Sequence, residues 1–248
     1  MKKLLVAFII ALFIFSLVNA SSLKKPEWRK GDFWKYEMET IGGKNKSIIS
    51  TTIIGKEDVT INNITYHCIV SKNNFSGEIR VQYLDEESLA IVKEIIYNNG
   101  AKEKIYNPPS SLIQYPVFIG KKWETNTNWK NTTITIFFEC IGKKDITTKA
   151  GKFSCYVIRA NYSFNGTISP YFYQVIYVSG RAGNIVRVEY YGNMEGNETL
   201  VEYIELVSFR YSAGIKHDNL IIYGIVIGGI IISLLALYKQ LGVKKKLL

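Results

Sequence analysis

The sequence predicts an all-β domain of antiparallel strands, built from two tandem copies of one strand pattern and followed by a C-terminal transmembrane helix. Segments rich in β-branched and aromatic residues fill the region 28–211, where long helical periodicity is scarce. The stretch 55–72 recurs without a gap at 142–159, and an uncharged apolar run lies near the C-terminus. Together these observations define the architecture, because repeats and apolar spans constrain a fold more than single motifs do.

The first twenty residues are typical of a secretory signal peptide. Lys2 and Lys3 form a basic start, residues 4–18 are an apolar run, and Val18-Asn19-Ala20 offers small residues before Ser21. An uncleaved signal anchor over 1–20 is the alternative. In either case we expect the chain that follows to be exported.

The second copy repeats the first at a nearly constant spacing. Residues identical at an offset of 87 are, pair by pair, Gly55 and Gly142, Lys56 and Lys143, Asp58 and Asp145, Thr60 and Thr147, and Cys68 and Cys155. Trp34 matches Trp123 at an offset of 89, and Tyr83 matches Tyr177 at an offset of 94. Loop insertions account for this drift, so we predict a first β repeat over 21–106 and a second over 118–211.

Strand signals run through both repeats. The predicted strands and hairpins of the first are 33–38, 47–54, 55–72 with a turn at Asn62-Asn63, 79–84 and 89–97; those of the second are 123–125, 132–141, 142–159, 171–178, 185–191 and 200–211. Residues 85–96 also fit an amphipathic helix. The aligned residues 179–184 form a plain hairpin turn, however, so we predict a turn at 85–88 and no helix.

Two segments link these parts. Pro108 and Pro109 lack N–H donors and favour an extended conformation, which predicts a connector over 107–117. After a short stalk over 212–219, residues 220–238 would span about 28 Å as a helix, close to the hydrocarbon thickness of a bilayer.

The basic tail over 239–248 should stay cytoplasmic, which makes a type I, single-pass protein of the cell membrane. Gly224 and Gly228 fit a helix-dimerisation face as well as ordinary membrane-helix composition, so the oligomeric state stays open.

The formal charge of +10 does not indicate a nucleic-acid-binding protein. Six of these charges belong to lysines of the two terminal segments, which leaves +4 for the rest, and no Lys/Arg-rich run appears there. Seven Asn-X-Ser/Thr sequons between the apolar ends indicate a glycosylated surface instead. They are Asn45, Asn63, Asn74, Asn131, Asn161, Asn165 and Asn197.

Three cysteines leave at least one thiol unpaired within a monomer. A two-residue loop at Ala150-Gly151 puts Cys140 and Cys155 about 20 Å apart along the hairpin, and a one-residue bulge puts them on opposite faces. The apolar alternation of 134–140 and 156–164 favours the bulge. Two interpretations remain: a disulfide from Cys68 to one of the other two cysteines, or three buried thiols.

The sequence shows no recognisable catalytic constellation. His67 is the only histidine of the predicted folded region, and a Cys–His pair would need Cys140 or Cys155, since Cys68 points to the opposite face of the strand. HExxH, CxxC and glycine-rich phosphate loops are missing from the sequence. We therefore predict no catalytic, metal-binding or cofactor-binding residues, no cofactor, and a protein that is not an enzyme.

Aromatic residues concentrate in the second repeat. An ordinary filled sheet core explains them, and so does an apolar groove with phenol tips, suited to lipid or glycan. The candidate residues for such a ligand-binding face are Tyr156, Ile158, Tyr162, Tyr173 and Tyr177.

Three passages resemble the TapB-like, LolA/LppX-related proteins of archaeal and bacterial envelopes. Residues 116–123, PVFIGKKW, are similar to their P-L-x-V-G-x-x-W opening; residues 150–158 resemble their A-G-x-F-x-x-x-x-I hairpin; and residues 177–190 resemble their Y-x-S-x-x-x-G-x-V hairpin. The resemblance is best over 115–210 and weaker over 28–100. It implies a strongly curved half-barrel sheet whose concave face, in some relatives, holds lipid or lipoprotein acyl chains.

The chain departs from the lipoprotein-type relatives because no lipobox cysteine lies near its signal and a membrane helix follows its β domain. That difference argues against a soluble carrier. We expect a membrane-anchored, non-enzymatic cell-surface module that binds an apolar or amphipathic ligand, such as a lipid, or an envelope protein. The alternatives are a purely structural surface protein and an envelope hydrolase.

Overall fold

Twelve antiparallel strands form one sheet in the computed structural model, which describes residues 22–43, 46–129, 132–164, 167–194 and 197–213. The strands are β1 Phe33–Thr40, β2 Lys46–Ile61, β3 Ile64–Phe75, β4 Glu78–Asp85, β5 Ile91–Tyr97, β6 Ala101–Ser110, β7 Lys122–Trp129, β8 Thr132–Thr148, β9 Gly151–Phe164, β10 Thr167–Ser179, β11 Asn184–Met194 and β12 Asn197–Arg210. The predicted all-β class is confirmed.

The strand order is β6-β5-β4-β3-β2-β1-β12-β11-β10-β9-β8-β7. Each half of the chain forms a six-stranded meander, and pairing of β1 with β12 joins the two meanders into one continuous sheet. The sheet curves until its edge strands β6 and β7 approach each other, so it is nearly closed. The expected curved antiparallel sheet is therefore present, as a single sheet.

Irregularities of register occur at aligned positions of the two halves. The register of β2–β3 skips Ile54, and that of β8–β9 skips Ile141, which lies 87 positions later. The registers of β4–β5 and β10–β11 skip Val92 and Val186, and both of these valines are fully buried. A bulge bends its strand and increases the local twist, so the two halves bend at matching places. The duplication itself stays a prediction from the sequence.

One predicted hairpin turn is confirmed, and the other lies one position earlier than predicted. Asn62 and Asn63 turn the β2–β3 hairpin with φ angles of 51° and 63°, which asparagine tolerates better than most residues. In the β8–β9 hairpin, Thr148 pairs with Gly151 across a two-residue loop, one position before the loop we considered. The one-residue bulge that the apolar alternation of 134–140 and 156–164 favours is present at Ile141.

The segment around the prolines differs from the prediction. Residues 101–110 form β6, a strand that the sequence analysis missed, and Pro108 and Pro109 belong to it. As an edge strand β6 has one neighbour, which is the place where a sheet tolerates proline. The irregular link between the two meanders runs over 111–121. Residues 85–90 turn without a helix, as predicted, and Leu89 has a φ of 58°.

Three clusters of buried side chains form the core. The largest surrounds Trp34, Phe153 and Leu206; the second contains Ile158 and Ile176. The third is a smaller cluster on β2–β5. The link 111–121 covers the second cluster with Ile113 and Val117, and Val117 pairs with Leu23 of the N-terminal segment.

Several predictions lie outside the described residues. They are the signal peptide 1–20, most of the stalk 212–219, the membrane span 220–238, the tail 239–248, and the sequons Asn45, Asn131 and Asn165. Within the described ranges, no helix is long and apolar enough to cross a membrane.

Candidate functional site

A cavity of about 470 Å³ lies between the N-terminal segment 25–30 and the β2–β3 hairpin. Ile53, Ile69 and Trp28 are its large apolar lining residues. Its charged lining residues are Lys25, Glu27, Arg29, Lys30, Lys56 and Glu86. The cavity therefore combines an apolar floor with a rim that carries four basic and two acidic groups.

Backbone bonds and one carboxylate position the N-terminal wall of this cavity. Gly31 N donates to Ile53 O at 2.8 Å, and Ile53 N donates to Asp32 O at 2.9 Å, which aligns the segment beside β2. The Asp32 carboxylate accepts a bond from Arg29 N at 2.8 Å and closes the turn 29–32. These contacts hold Arg29 and its neighbours at the rim.

The indole of Trp28 forms the apolar part of the same wall. Its Nε1 donates to Gly183 O at 2.8 Å, and its ring centroid lies 5.5 Å from that of Trp34. Since the polar edge of the indole is satisfied by the β10–β11 turn, the remaining ring surface serves packing.

Glu86 is the acidic partner on the opposite side of the cavity. Its carboxylate accepts a bond from Lys56 Nζ, and its carbonyl accepts one from Lys25 Nζ. Arg29 approaches Glu27 at 3.8 Å, and both of those side chains are more than half exposed. An exposed ion pair of this kind contributes little, so the guanidinium can exchange it for another anion.

The five predicted ligand-face residues do not lie on one face. Tyr156 and Ile158 are buried in the second cluster, and Tyr162 lies on the same side of β9. Tyr173 and Tyr177 point to the opposite side of the sheet, because they pair with Asn161 and Val157. None of the five lines the cavity.

The tyrosines of that opposite side belong to a polar network around Glu189. Tyr173 stacks on Tyr191 at 4.9 Å with nearly parallel rings. The hydroxyls of Tyr177 and Tyr191 donate to Glu189 Oε2 at 2.9 and 3.0 Å, and Arg187 Nε lies 2.9 Å from Glu189 Oε1. Burial raises the pKa of the Tyr177 hydroxyl, and its bond to Glu189 raises it further. These contacts support a stabilising role for Tyr173 and Tyr177.

The sequence analysis missed the residues that line the cavity. The prediction that no Lys/Arg-rich run lies between the terminal segments is wrong at 24–30, where four of seven residues are basic. A net charge averaged over whole segments hides this short cluster. Its residues lie near Lys56 because backbone pairing places the N-terminal segment beside β2.

The histidine is exposed, whereas the three thiols are buried. His67 is three-quarters exposed, and its Nδ1 lies 2.7 Å from Asp58 Oδ1, a hydrogen bond that raises the pKa of the imidazole. Cys155, Cys140 and Cys68 are free, and each lies in a different one of the three buried clusters. Cys140 and Cys155 lie on opposite faces, as the bulge register predicts. No cluster of three metal-ligating side chains occurs among the described residues.

We predict that the three thiols react with a thiol reagent only after unfolding. Burial raises the pKa of Cys68 to about 11 and that of Cys155 to about 12, and it also raises the pKa of Cys140. At pH 8 the thiolate fraction is therefore small. Titration of the native full-length chain with an aromatic disulfide reagent should show no reaction, and an added Ser154→Cys thiol, which is exposed, should react. Rapid reaction of a native thiol would contradict this assignment.

The described sequons differ in access. Asn63, Asn74 and Asn197 are exposed, whereas Asn161 is half-buried between Phe137 and Tyr173 of the neighbouring strands. The side-chain oxygen of Asn161 also accepts a bond from Arg159 Nε at 3.3 Å. We therefore expect glycans at the three exposed positions in preference to Asn161.

No family model matches this chain, and no curated protein matches it. The resemblance to the TapB-like, LolA/LppX-related proteins therefore stays a prediction. One similar solved structure is a Bacteroides fragilis protein with a YmcC-like fold that is inferred to be exported, with a TM-score of 0.42, 14% identity, and coverage of 77% of this chain and 99% of that one.

Another is a Parabacteroides distasonis protein inferred to be a lipoprotein, with a TM-score of 0.40 and 17% identity. That likeness covers 76% of this chain and 99% of the other. The two scores describe a partial likeness, and we transfer no function from either protein.

Proposed function

We propose that this chain is a membrane-anchored, non-enzymatic cell-surface module that binds an amphipathic ligand with an anionic head group in the cavity beside β2. The apolar floor at Ile53 and Ile69, bordered by the basic rim of the 25–30 segment, is the observation that carries this proposal. An alkyl group would pack on the isoleucines, while its anionic head would face Arg29 and Lys30.

The size and charge of the cavity support this ligand class. Its volume of about 470 Å³ falls within the range of about 300–1,000 Å³ that is typical of small-molecule sites. The rim carries a formal excess of two positive charges, so it favours an anion over a cation. Arg29 offers a planar fork of donors that fits carboxylate or phosphate.

The anchoring and location rest on the sequence. The basic and apolar start of the chain, the apolar run 220–238 and the lysines after it fit a type I single-pass protein whose β domain lies outside the cell. The non-enzymatic role is supported by the exposure of His67, the burial of Cys140 and Cys155, and the raised pKa values of these thiols.

Mass spectrometry of the full-length chain, purified gently from its membrane, tests the ligand. We expect an amphipathic anion at near-stoichiometric yield that organic extraction removes. The variant that tests the rim reverses two of its charges, Arg29→Glu together with Lys30→Glu. Its occupancy should fall by about tenfold or more, because the anionic head group then meets like charges.

The chain provides a control for this variant. Lys72 is an exposed lysine of β3 outside the cavity, so Lys72→Glu should keep the ligand. An empty wild-type protein would contradict the proposal and favour a structural module or a partner protein of the envelope.

A further inference from the structure

One end of the sheet contains the C-terminal end of β12, which precedes the predicted membrane span in the sequence. β12 ends there at Arg210, β10 ends there at Ser179 and β6 ends there at Ser110, while β1 and β7 begin at the same end because neighbouring strands are antiparallel. The segment 23–30, the link 112–122 and the β8 residues 139–144 all lie at this end. We name these three segments together the exit surface.

Large apolar side chains of the exit surface are exposed. Leu112, Phe118 and Ile119 on the link are each about half exposed, and so is the bulged Ile141. Gly120 N donates to Cys140 O at 2.7 Å, and Cys140 N donates to Lys121 O at 2.9 Å, which holds the link beside the part of β8 that precedes Ile141. Exposed apolar groups that lie near one another are typical of a surface that contacts a partner protein or a membrane.

The same three segments are rich in basic residues. The exit surface contains eight basic residues and two acidic ones, a net of +6, although the chain outside the terminal lysines carries only +4. The remainder of that chain therefore carries −2. Its basic residues are Lys24, Lys25, Arg29, Lys30, Lys121, Lys122, Lys143 and Lys144. This concentration of positive charge in the exit surface favours contact with an anionic surface.

The described domain ends a short distance along the sequence before the apolar run 220–238. Ser212 N donates to Asp32 Oδ1 at 2.8 Å, and the Ser212 hydroxyl donates to the same oxygen, which fixes the C-terminal end of the domain beside the start of β1. Six residues separate Ala213 from Leu220, where the apolar run begins. Fully extended, six residues reach about 20 Å.

We propose that the exit surface docks on the anionic head groups of the bilayer, with Phe118, Ile119 and Ile141 entering the head-group layer and the lysines pairing with lipid phosphates. Amphipathic surfaces of apolar and basic residues bind anionic membranes in this manner. The inference rests on the anchoring part of the proposed function. It shares Lys25, Arg29 and Lys30 with the rim of the cavity, whereas its apolar groups and Lys143 and Lys144 lie outside the cavity. It adds a second, electrostatic membrane contact to the single span.

A position-specific fluorophore on the full-length chain tests this proposal. Ile119→Cys and Phe75→Cys introduce exposed thiols for an environment-sensitive dye, and Phe75 lies at the opposite end of β3. Each labelled chain is placed in nanodiscs of phosphatidylcholine, with or without phosphatidylglycerol, that contain spin-labelled lipid. We expect a blue shift and loss of emission for the dye at 119 in anionic discs only, reversed by high salt, and no change at 75.

Charge reversal and the anchor provide the controls. Lys143→Glu together with Lys144→Glu should reduce the quenching at 119 to the level seen at 75. Equal emission at the two positions in anionic discs that contain the inserted chain would overturn the docking proposal. Failure of the chain to enter the discs would instead contradict the anchoring in the proposed function and, with it, the docking.

Discussion

Replacing Trp34 by phenylalanine should lower the free energy of unfolding by about 2–4 kcal/mol, whereas the same change at the aligned Trp123 should cost about 1 kcal/mol or less. Trp34 is fully buried, and its Nε1 donates to Ala182 O at 2.7 Å. Phenylalanine lacks that donor and leaves part of the indole volume empty. The carbonyl of Ala182 would then lose its side-chain partner.

Trp123 occupies the aligned position of the second half, and there removal of the indole N–H should stabilise the domain instead of destabilising it. Its Nε1 is buried and has no hydrogen-bond partner among the described residues. Its ring stacks on Phe138 at 5.1 Å with an angle of 8°, a contact that phenylalanine can keep. Removal of the unsatisfied N–H offsets the lost volume, because an unpaired buried donor costs about 1–3 kcal/mol.

Thermal unfolding of the two variants in the same nanodiscs, followed by circular dichroism, measures this difference. We expect a clear decrease of the midpoint for Trp34→Phe and a small change for Trp123→Phe. Equal decreases would mean that volume alone decides, and that the bond to Ala182 contributes nothing measurable.

Replacing Asp32 by alanine should destabilise the domain by about 3–5 kcal/mol, since a buried carboxylate with several donors is removed at once. The side chain of Asp32 is fully buried. It accepts bonds from Arg29 N at 2.8 Å and Ser212 N at 2.8 Å, and from the Ser212 hydroxyl. Alanine leaves two backbone donors without this acceptor, and these donors belong to segments 183 residues apart.

The loss should be local as well as global. The segment 25–30 and residue 212 should exchange amide hydrogens faster in the variant, because Asp32 ties both to the start of β1. Hydrogen exchange with mass spectrometry on the full-length chain measures this effect. Asp145→Ala, at an exposed carboxylate of β8, should change stability by less than about 0.5 kcal/mol. Unchanged exchange at 25–30 in Asp32→Ala would contradict the assigned role.

The local features of the fold follow from the sequence for a simple reason. Period-two alternation and turn-forming residues act over a few neighbours, so they identified the β2–β3 turn at Asn62-Asn63 and the strand after residue 90. The same alternation identified the opposite faces of Cys140 and Cys155. Strand β6 escaped notice because KEKIYNPPS has little apolar alternation and its pairing is with β5 alone.

The sequence by itself therefore determined the all-β class, the main hairpins and the resemblance between the two halves. Only the tertiary structure decided that β1 pairs with β12 to make one sheet, that Tyr156 and Tyr173 lie on opposite faces, and that a cavity forms beside β2. These features depend on contacts between segments far apart in the chain. Their free energy comes from burial and pairing summed over the whole domain, and no local pattern contains that sum.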